Sequence, residues 1–429
     1  MPGPPPVRAW LLLVALSLPI LALSIDANGV VVLLPTMARD LGMSPVASSS
    51  VITVASVAFA APLILIGRVA TRVGPRLVLF VGVAAFGVSS AICALAGESW
   101  VLMGGRVLQG VASACCFATS LAAIDAVFDT ERLPIAPQIP TAILVVTLVA
   151  LPFLTPPLPA DRTERLPAGR LGLLTAGIWV AFTALQRAGT TGWLQAEVIV
   201  GLVVGTALTV VALRSRGTPI AHREVLDDRS FRLGTAEATL SNWGSMVLVP
   251  IALQTGRGLG VVETGLVFLG FSVPFAIGGA ASGPWTRRRG AGSTLAVGSA
   301  LLTVGLVGLA AVGLDAPLAV VVAALAVAGV GNGLVYAAST AHGLAGIAPV
   351  RSAEASALLN MWRVLGLALA VAVSNSIVRV VDSGGTLADD RGLQVALLVA
   401  AAICAVGVPI VRRDPAARRS ATGTPPPAR

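Results

Sequence analysis

The sequence predicts an all-α polytopic membrane protein, built as two helical bundles with an extra helix pair between them. Three observations carry this. Hydrophobic residues make up 56% of the 429 residues and charged residues 11%, whereas a water-soluble domain sits nearer about 45–50% and about 25%. Apolar runs long enough for a bilayer core, which needs about 20 residues per helix, recur along the whole chain. Two short arginine-bearing segments, 67–74 and 283–290, echo one another at matching places in the two halves.

The runs fall near 10–36, 47–66, 77–97, 100–124, 138–154, 171–186, 194–213, 233–253, 261–282, 293–313, 317–346, 355–380 and 393–411. That makes about thirteen transmembrane helices, with no soluble domain left over. Because the net charge of +9 is spread over short loops rather than a foldable basic unit, nucleic acid is not an expected partner and the lipid bilayer is. The arginines mark one side by the positive-inside rule. Arg8, the Arg68–Arg76 segment, the Arg162–Arg170 loop, residues 214–232, Arg287 to Arg289, Arg351 and Arg412–Arg413 read as cytoplasmic. The loops "GES", "GTTGW" and "GLDAP" between them are poorer in arginine. Both termini are therefore expected in the cytoplasm, and the first run reads as an uncleaved helix.

The echo is specific in form. "GRVATRVG" (67–74) and "GPWTRRRG" (283–290) share glycine at both ends, a small residue at the fourth place and arginine at the sixth. Gly67, Arg68, Arg72, Gly74 and Arg76, with Gly283, Arg288 and Gly290, are thus expected in paired gating loops of two repeated bundles. The expected organisation is an N-terminal bundle over 1–157, a linker helix pair over 158–216, a six-helix bundle over 217–412 and a disordered cytoplasmic tail over 413–429. Cys93, Cys115, Cys116 and Cys404 lie in apolar runs without metal spacing and read as packing residues. No nucleotide loop, metal set or nucleophile triad is present, so neither an enzyme nor a cofactor is expected.

Polar residues inside apolar runs carry the candidate chemistry. Asp26, in "LALSIDANGVVVLLP", lies about 24 Å along the first helix at 1.5 Å per residue, with Asn28 two residues on. An acid at membrane depth is costly and marks function by default, as a proton carrier or a partner for a cation. The other reading is an acid near the outer surface that reaches water. Arg106 cannot lose its proton and needs a partner, with Asp26 the available acid in this half; otherwise it is an interfacial arginine. Gln109, Glu237, Asn242, Gln254, Asn332, Asn360 and Arg363 complete the buried polar set. Of these, Asn360 and Arg363 share a helix face, for bridging a neighbouring helix or for touching substrate. Glu237 stands about one turn into its span, and His222 and His342 read as solvated or structural.

These motifs resemble the major facilitator superfamily, and within it the fourteen-span drug/proton antiporter family, over nearly the whole chain. "SIDANGVVVLLP" resembles the first-helix signature, "GRVATRVGPR" the shared loop motif and "LMGGRVLQGVASA" the fourth-helix motif. "LQTGRGLGVVETGLVFLG" and "ASALLNMWRVLG" are similar to later spans. The resemblance implies a two-bundle fold with two linker helices, and a role for Arg106 in proton release. Two departures stand out. The loop motif has Thr71 where the family carries an acid and Pro75 where it carries arginine, which puts the usual gating charge network in doubt. After the fourth span, residues 122–157 run directly into what resembles the sixth, so the fifth span, with the antiporter signature, is missing from the pattern. The 138–154 run then either does not cross, or crosses after an extended return of 127–137, or inverts the later spans.

The leading expectation is proton-coupled efflux of hydrophobic or cationic small molecules by alternating access, from a monomer in the cell membrane. Asp26 and Arg106 would couple the proton; Asn28, Gln109, Glu237, Asn242, Gln254, Asn360 and Arg363 would line the substrate site. The alternatives are a carrier for a polar or anionic metabolite, with Arg106 and Arg363 as receptors, and a transport-incompetent truncated family member.

Overall fold

The computed structural model describes residues 30, 37, 40–43, 45–127, 166–215, 219–244, 248–313, 315–381 and 390–412. Asp26, Asn28, the 138–154 run and the 413–429 tail lie outside them. Among the described residues, eight helices are long and apolar enough to cross a membrane, or nine if one bent pair counts as a span.

That pair is α1 (Pro45–Ala60) and α2 (Leu63–Val73), bent by 43°. Pro62 stands at the break, where its ring and missing N–H interrupt the ladder. The expected gating loop at 67–74 is helix up to Val73. Nothing in "GRVATRV" breaks a helix, and internal hydrogen bonding is the cheapest way to satisfy backbone in a membrane. Only Gly74 turns the chain, at φ 99°, before α3 (Pro75–Ala94), a left-handed conformation that glycine adopts without strain. The second half repeats this device. There α10 (Val261–Arg289) runs through Gly283 and Arg288 and turns at Gly290, φ 82°, into α11 (Ala291–Val312).

In the first half α3 packs against α4 (Ser99–Val127). Gly82 faces Ala112 and Cys115 there, and Gly110 brings α4 against Ala55 and Ala58 of α1. The linker pair is α5 (Ala168–Thr191) and α6 (Ala196–Arg214), in close contact where Gly177 meets Thr209 and Gly205 meets Ala181. Such small-residue approaches replace the hydrophobic effect, which lipid cannot supply between helices. Helix α5 also bridges the two halves. Phe182 and Leu185 share one apolar cluster with Val57 and Ala60 of α1 and with Ala368 and Ala372 of the long helix α13 (Ser352–Val381). At its far end Trp193 Nε1 donates to Ser376 Oγ at 2.7 Å, and Arg379 donates to the Gly189 carbonyl.

The second half begins with the short α7 (Arg223–Asp227), then α8 (Arg229–Ser241), a 3₁₀ turn (Asn242–Gly244) and α9 (Leu248–Thr255). The sequence expects one continuous span over 233–253; the span is interrupted instead. Asn242 Nδ2 donates to the Ala238 carbonyl at 2.7 Å, one of the local bonds by which Asn competes with helix. Helices α10, α11 and α12 (Leu318–Leu344) form the tightest packing, with Gly278, Gly329 and Gly333 at the α10–α12 contact and Gly305 and Gly331 at the α11–α12 contact. Helix α14 (Asp390–Arg412) closes the bundle along α11 and α13. One apolar cluster runs through α9, α10, α11, α12, α13 and α14.

Candidate functional site

The two halves meet where α2 and the middle of α4 pack against the first turns of α13. Leu63, Ile66 and Ala70 of α2 and Ala114 and Ala118 of α4 share a cluster with Ala353 and Ala357 of α13. Gly67 makes the approach possible, since a Cβ there would stand 2.5 Å from Ala357 Cβ. Next to it Arg68 is fully buried, with Nη1 3.5 Å from Glu354 Oε2 in the first turn of α13. His222, at the start of α7, completes the cluster. Its backbone N–H donates to Glu354 Oε1 at 2.7 Å, and its Nδ1 lies 2.8 Å from Glu354 Oε2 and 2.6 Å from Arg68 Nη1. One ring nitrogen can serve only one of these neighbours: protonated it donates to Glu354, and bare it accepts from Arg68. The helix N-terminus adds a favourable field for the acid.

This arrangement answers the departure at position 71. The Thr71 hydroxyl donates back to the Gly67 carbonyl at 3.1 Å, so it contributes no charge across the seam. Glu354 supplies an acid from the other half. The sequence reading passed over Glu354 and took His222 as solvated or structural. The signal available was an acid at the mouth of an apolar span, opposite a buried-helix arginine. The echo is not symmetric here: Pro284 stands where Arg68 does, and Arg72 and Arg288 are exposed. Gly67→Val is expected to leave the bundles folded and the seam unable to close. Dye export should fall to background, and a cysteine placed at Ala353 should become reactive to a thiol probe from the arginine-rich side.

A second polar group joins α3 and α4. Arg106 is 3% exposed and so buried within the protein. Its Nη1 donates to Gln109 Oε1 at 2.6 Å, and Gln109 Nε2 donates to Ser90 Oγ at 3.1 Å. Its relation to Asp26 lies outside the described residues. In the second half, Arg363 bridges α13 to α12. Nη2 donates to Thr340 Oγ1 at 2.9 Å, Ser339 Oγ at 3.2 Å and the Tyr336 carbonyl at 3.3 Å, Nη1 to Asn360 Oδ1 at 3.2 Å, and the guanidinium lies over the Tyr336 ring. Its partners are all neutral. Asn360 Nδ2 also donates to the Ser356 carbonyl. Asn242 marks the break between α8 and α9, Gln254 is half-buried at the end of α9, and Asn332 is buried in α12. Glu237 turns toward α11 and α14 rather than toward the first bundle. The site residues therefore fall into separate groups, with Arg106 and Gln109 in one and Asn360 and Arg363 in another. No cluster of His, Cys, Asp and Glu that could hold a metal occurs among the described residues.

Comparison with known proteins follows the same division. The pattern of the Major Facilitator Superfamily matches residues 16–137 and 233–428, leaving out the stretch that holds the linker pair. The chain is 27% identical to the multidrug efflux pump LfrA of Mycolicibacterium smegmatis, over 87% of this chain and 81% of that one. It is 29% identical to the puromycin resistance protein pur8 of Streptomyces alboniger, over 87% and 82%. Against the tetracenomycin C resistance and export protein of Streptomyces glaucescens it is 24% identical, over 72% and 64%. With these matches, the apolar helices and the paired bundles, the chain belongs to the Major Facilitator Superfamily, and it is a multi-pass membrane transporter rather than an enzyme.

Proposed function

We propose that this chain exports hydrophobic or cationic small molecules across the cell membrane, driven by protons moving inward. The observation that carries the reading is the Gly67–Ala357 and Arg68–Glu354–His222 seam. It joins two bundles through contacts that can part, which a carrier needs in order to expose its cavity to one side at a time. With both termini in the cytoplasm, the arginine-rich seam closes the cytoplasmic side, and a monomer suffices for the cycle. The class of cargo is supported by the drug and antibiotic exporters to which the chain is similar. Asp26 is the proton carrier of this reading, and Arg106, held by Gln109, sets the field at its helix. The reading of a polar or anionic cargo has less support, because Arg363 is already engaged by four neighbouring groups.

Export of ethidium from energised inverted vesicles tests the proposal. Transport should collapse with an uncoupler and with Asp26→Asn, and survive removal of ATP once the proton gradient is set by respiration. Transport that ignores the uncoupler would refute proton drive; inhibition by organic anions alone would point to an anionic cargo.

A further inference from the structure

We propose that Glu237 is a proton-binding site of the second bundle, seated in a niche between α8, α11 and α14. The proposal rests on the proton-driven reading above and gives it a second titratable position. The carboxyl is 1% exposed. Its Oε2 accepts from Ser299 Oγ of α11 at 3.3 Å. Opposite, α14 carries Gly407, where a Cβ would fall 2.7 Å from Oε2 and 2.9 Å from Oε1. Glycine at 407 leaves the volume that the carboxyl fills. Oε1 has no hydrogen-bond partner among the described residues, and none of their basic side chains stands within ion-pair distance of it.

The surroundings are otherwise neutral toward Glu237. Helix α11 carries no charged residue. On α14, Cys404 donates to the Leu240 carbonyl of α8 at 3.4 Å; Asp390 and Arg391 begin the helix at its far end, and Arg412 ends it five residues past Gly407. On α13, Arg363 is engaged by Asn360, Ser339, Thr340 and Tyr336, and Glu354 by Arg68 and His222. Tyr336 and His342 are the titratable groups of α12, which packs on α8 at Gly234. Asp228, beside Arg223, Glu224 and Asp227 of α7, caps α8 by accepting from the Phe231 N–H at 2.7 Å.

A niche with one hydroxyl and a glycine face suits the neutral acid. As a carboxylate, the same group would hold its charge away from water with a single donor. Loss of the proton therefore requires water to enter or α8 to shift, and α8 ends four residues later at the Asn242 turn, where a shift can be absorbed. Binding one proton at Glu237 thus favours the packed arrangement of α8 against α11 and α14, and releasing it favours the other. This couples protonation to a broken span without any contact to the cargo.

The test uses the full-length protein in proteoliposomes, with ethidium as probe and Glu237→Gln as the variant that keeps shape and hydrogen bonding but cannot titrate. The amount of folded protein should match the wild type, and gradient-free ethidium exchange should lose the pH dependence that the wild type shows. The proton-to-ethidium ratio should fall by one, so accumulation under an imposed gradient of one pH unit should drop about tenfold. Ser299→Ala should shift the pH midpoint of transport without loss of folded protein. Infrared difference spectra provide an independent readout. A carboxylic acid band present in the wild type and missing in Glu237→Gln should weaken as the pH is raised or ethidium is added. Wild-type coupling in Glu237→Gln, or a Glu237 band insensitive to both pH and ethidium, would overturn the assignment. If wild-type transport ignores the gradient while the Glu237 band still titrates, proton drive fails and the proton site stands.

Discussion

Glu354→Ala is expected to abolish export and to destabilise the seam by about 3–5 kcal/mol, the usual cost of removing one partner of a buried ion pair. Arg68 is fully buried, and Glu354 is the acid within reach of it among the described residues. Without the carboxylate, the buried Arg68 loses its acid from the other half, which weakens the hold of α2 on α13 and keeps the arginine-rich side open. His222 loses the acceptor of both its backbone N–H and its ring at the same time. Three measurements check this: ethidium export, the unfolding midpoint, and thiol reactivity at position 353, which should rise. Arg68→Ala alone should fail as well, while Arg68→Ala with Glu354→Ala should recover stability relative to either single variant. A double-mutant cycle showing no coupling between the two positions would disprove the latch.

Gly333→Val is expected to break the second bundle rather than its cycle. A Cβ at Gly333 would run into the carbonyl of Phe275, with the Gly279 backbone N at 2.8 Å just beyond. Neither neighbour is a side-chain end that can rotate away, because both are backbone of α10. Helices α10 and α12 must then separate along a face where Gly278 and Gly329 make equally close approaches to the other helix's backbone. Overpacking of a core costs about 1–3 kcal/mol when side chains can adjust, and more is expected against backbone. A loss of roughly 3 kcal/mol lowers the unfolding midpoint of a chain of 429 residues by about 3 °C. Gly333→Val should therefore show little folded protein in the membrane, whereas Gly333→Ala should retain some, and both should be read by fluorescence size-exclusion profiles on heating. Gly67→Val makes the contrast, because its close neighbour Ala357 lies across the seam between the two halves and not within one bundle.

Much of the architecture was legible because lipid imposes simple demands. A segment that crosses must be apolar for about 20 residues and must bond its own backbone, so hydropathy located α3, α4, α5, α6 and α10 to α13 close to their ends. The repeated Gly-Arg segment pointed to paired bundles, and both copies end in the same positive-φ glycine. Where the structure differs, local backbone decides: the expected gating loops are helix because only their last glycine interrupts it, and the span at 233–253 is broken at the 3₁₀ turn Asn242–Gly244.

The composition and periodicity of this chain by themselves determined a polytopic helical membrane protein with a short list of polar residues in apolar runs, and its repeated Gly-Arg segment pointed to two similar halves. Which of those residues meet was decided only by the tertiary structure. Arg68 finds Glu354 286 positions away, and Glu237 turns toward Ser299 and Gly407 instead of the first bundle. The physical reason is the rotation of each helix about its axis. Hydropathy along a helix tells that it is buried in lipid or protein, whereas the direction in which a side chain points depends on small-residue contacts with helices distant in sequence.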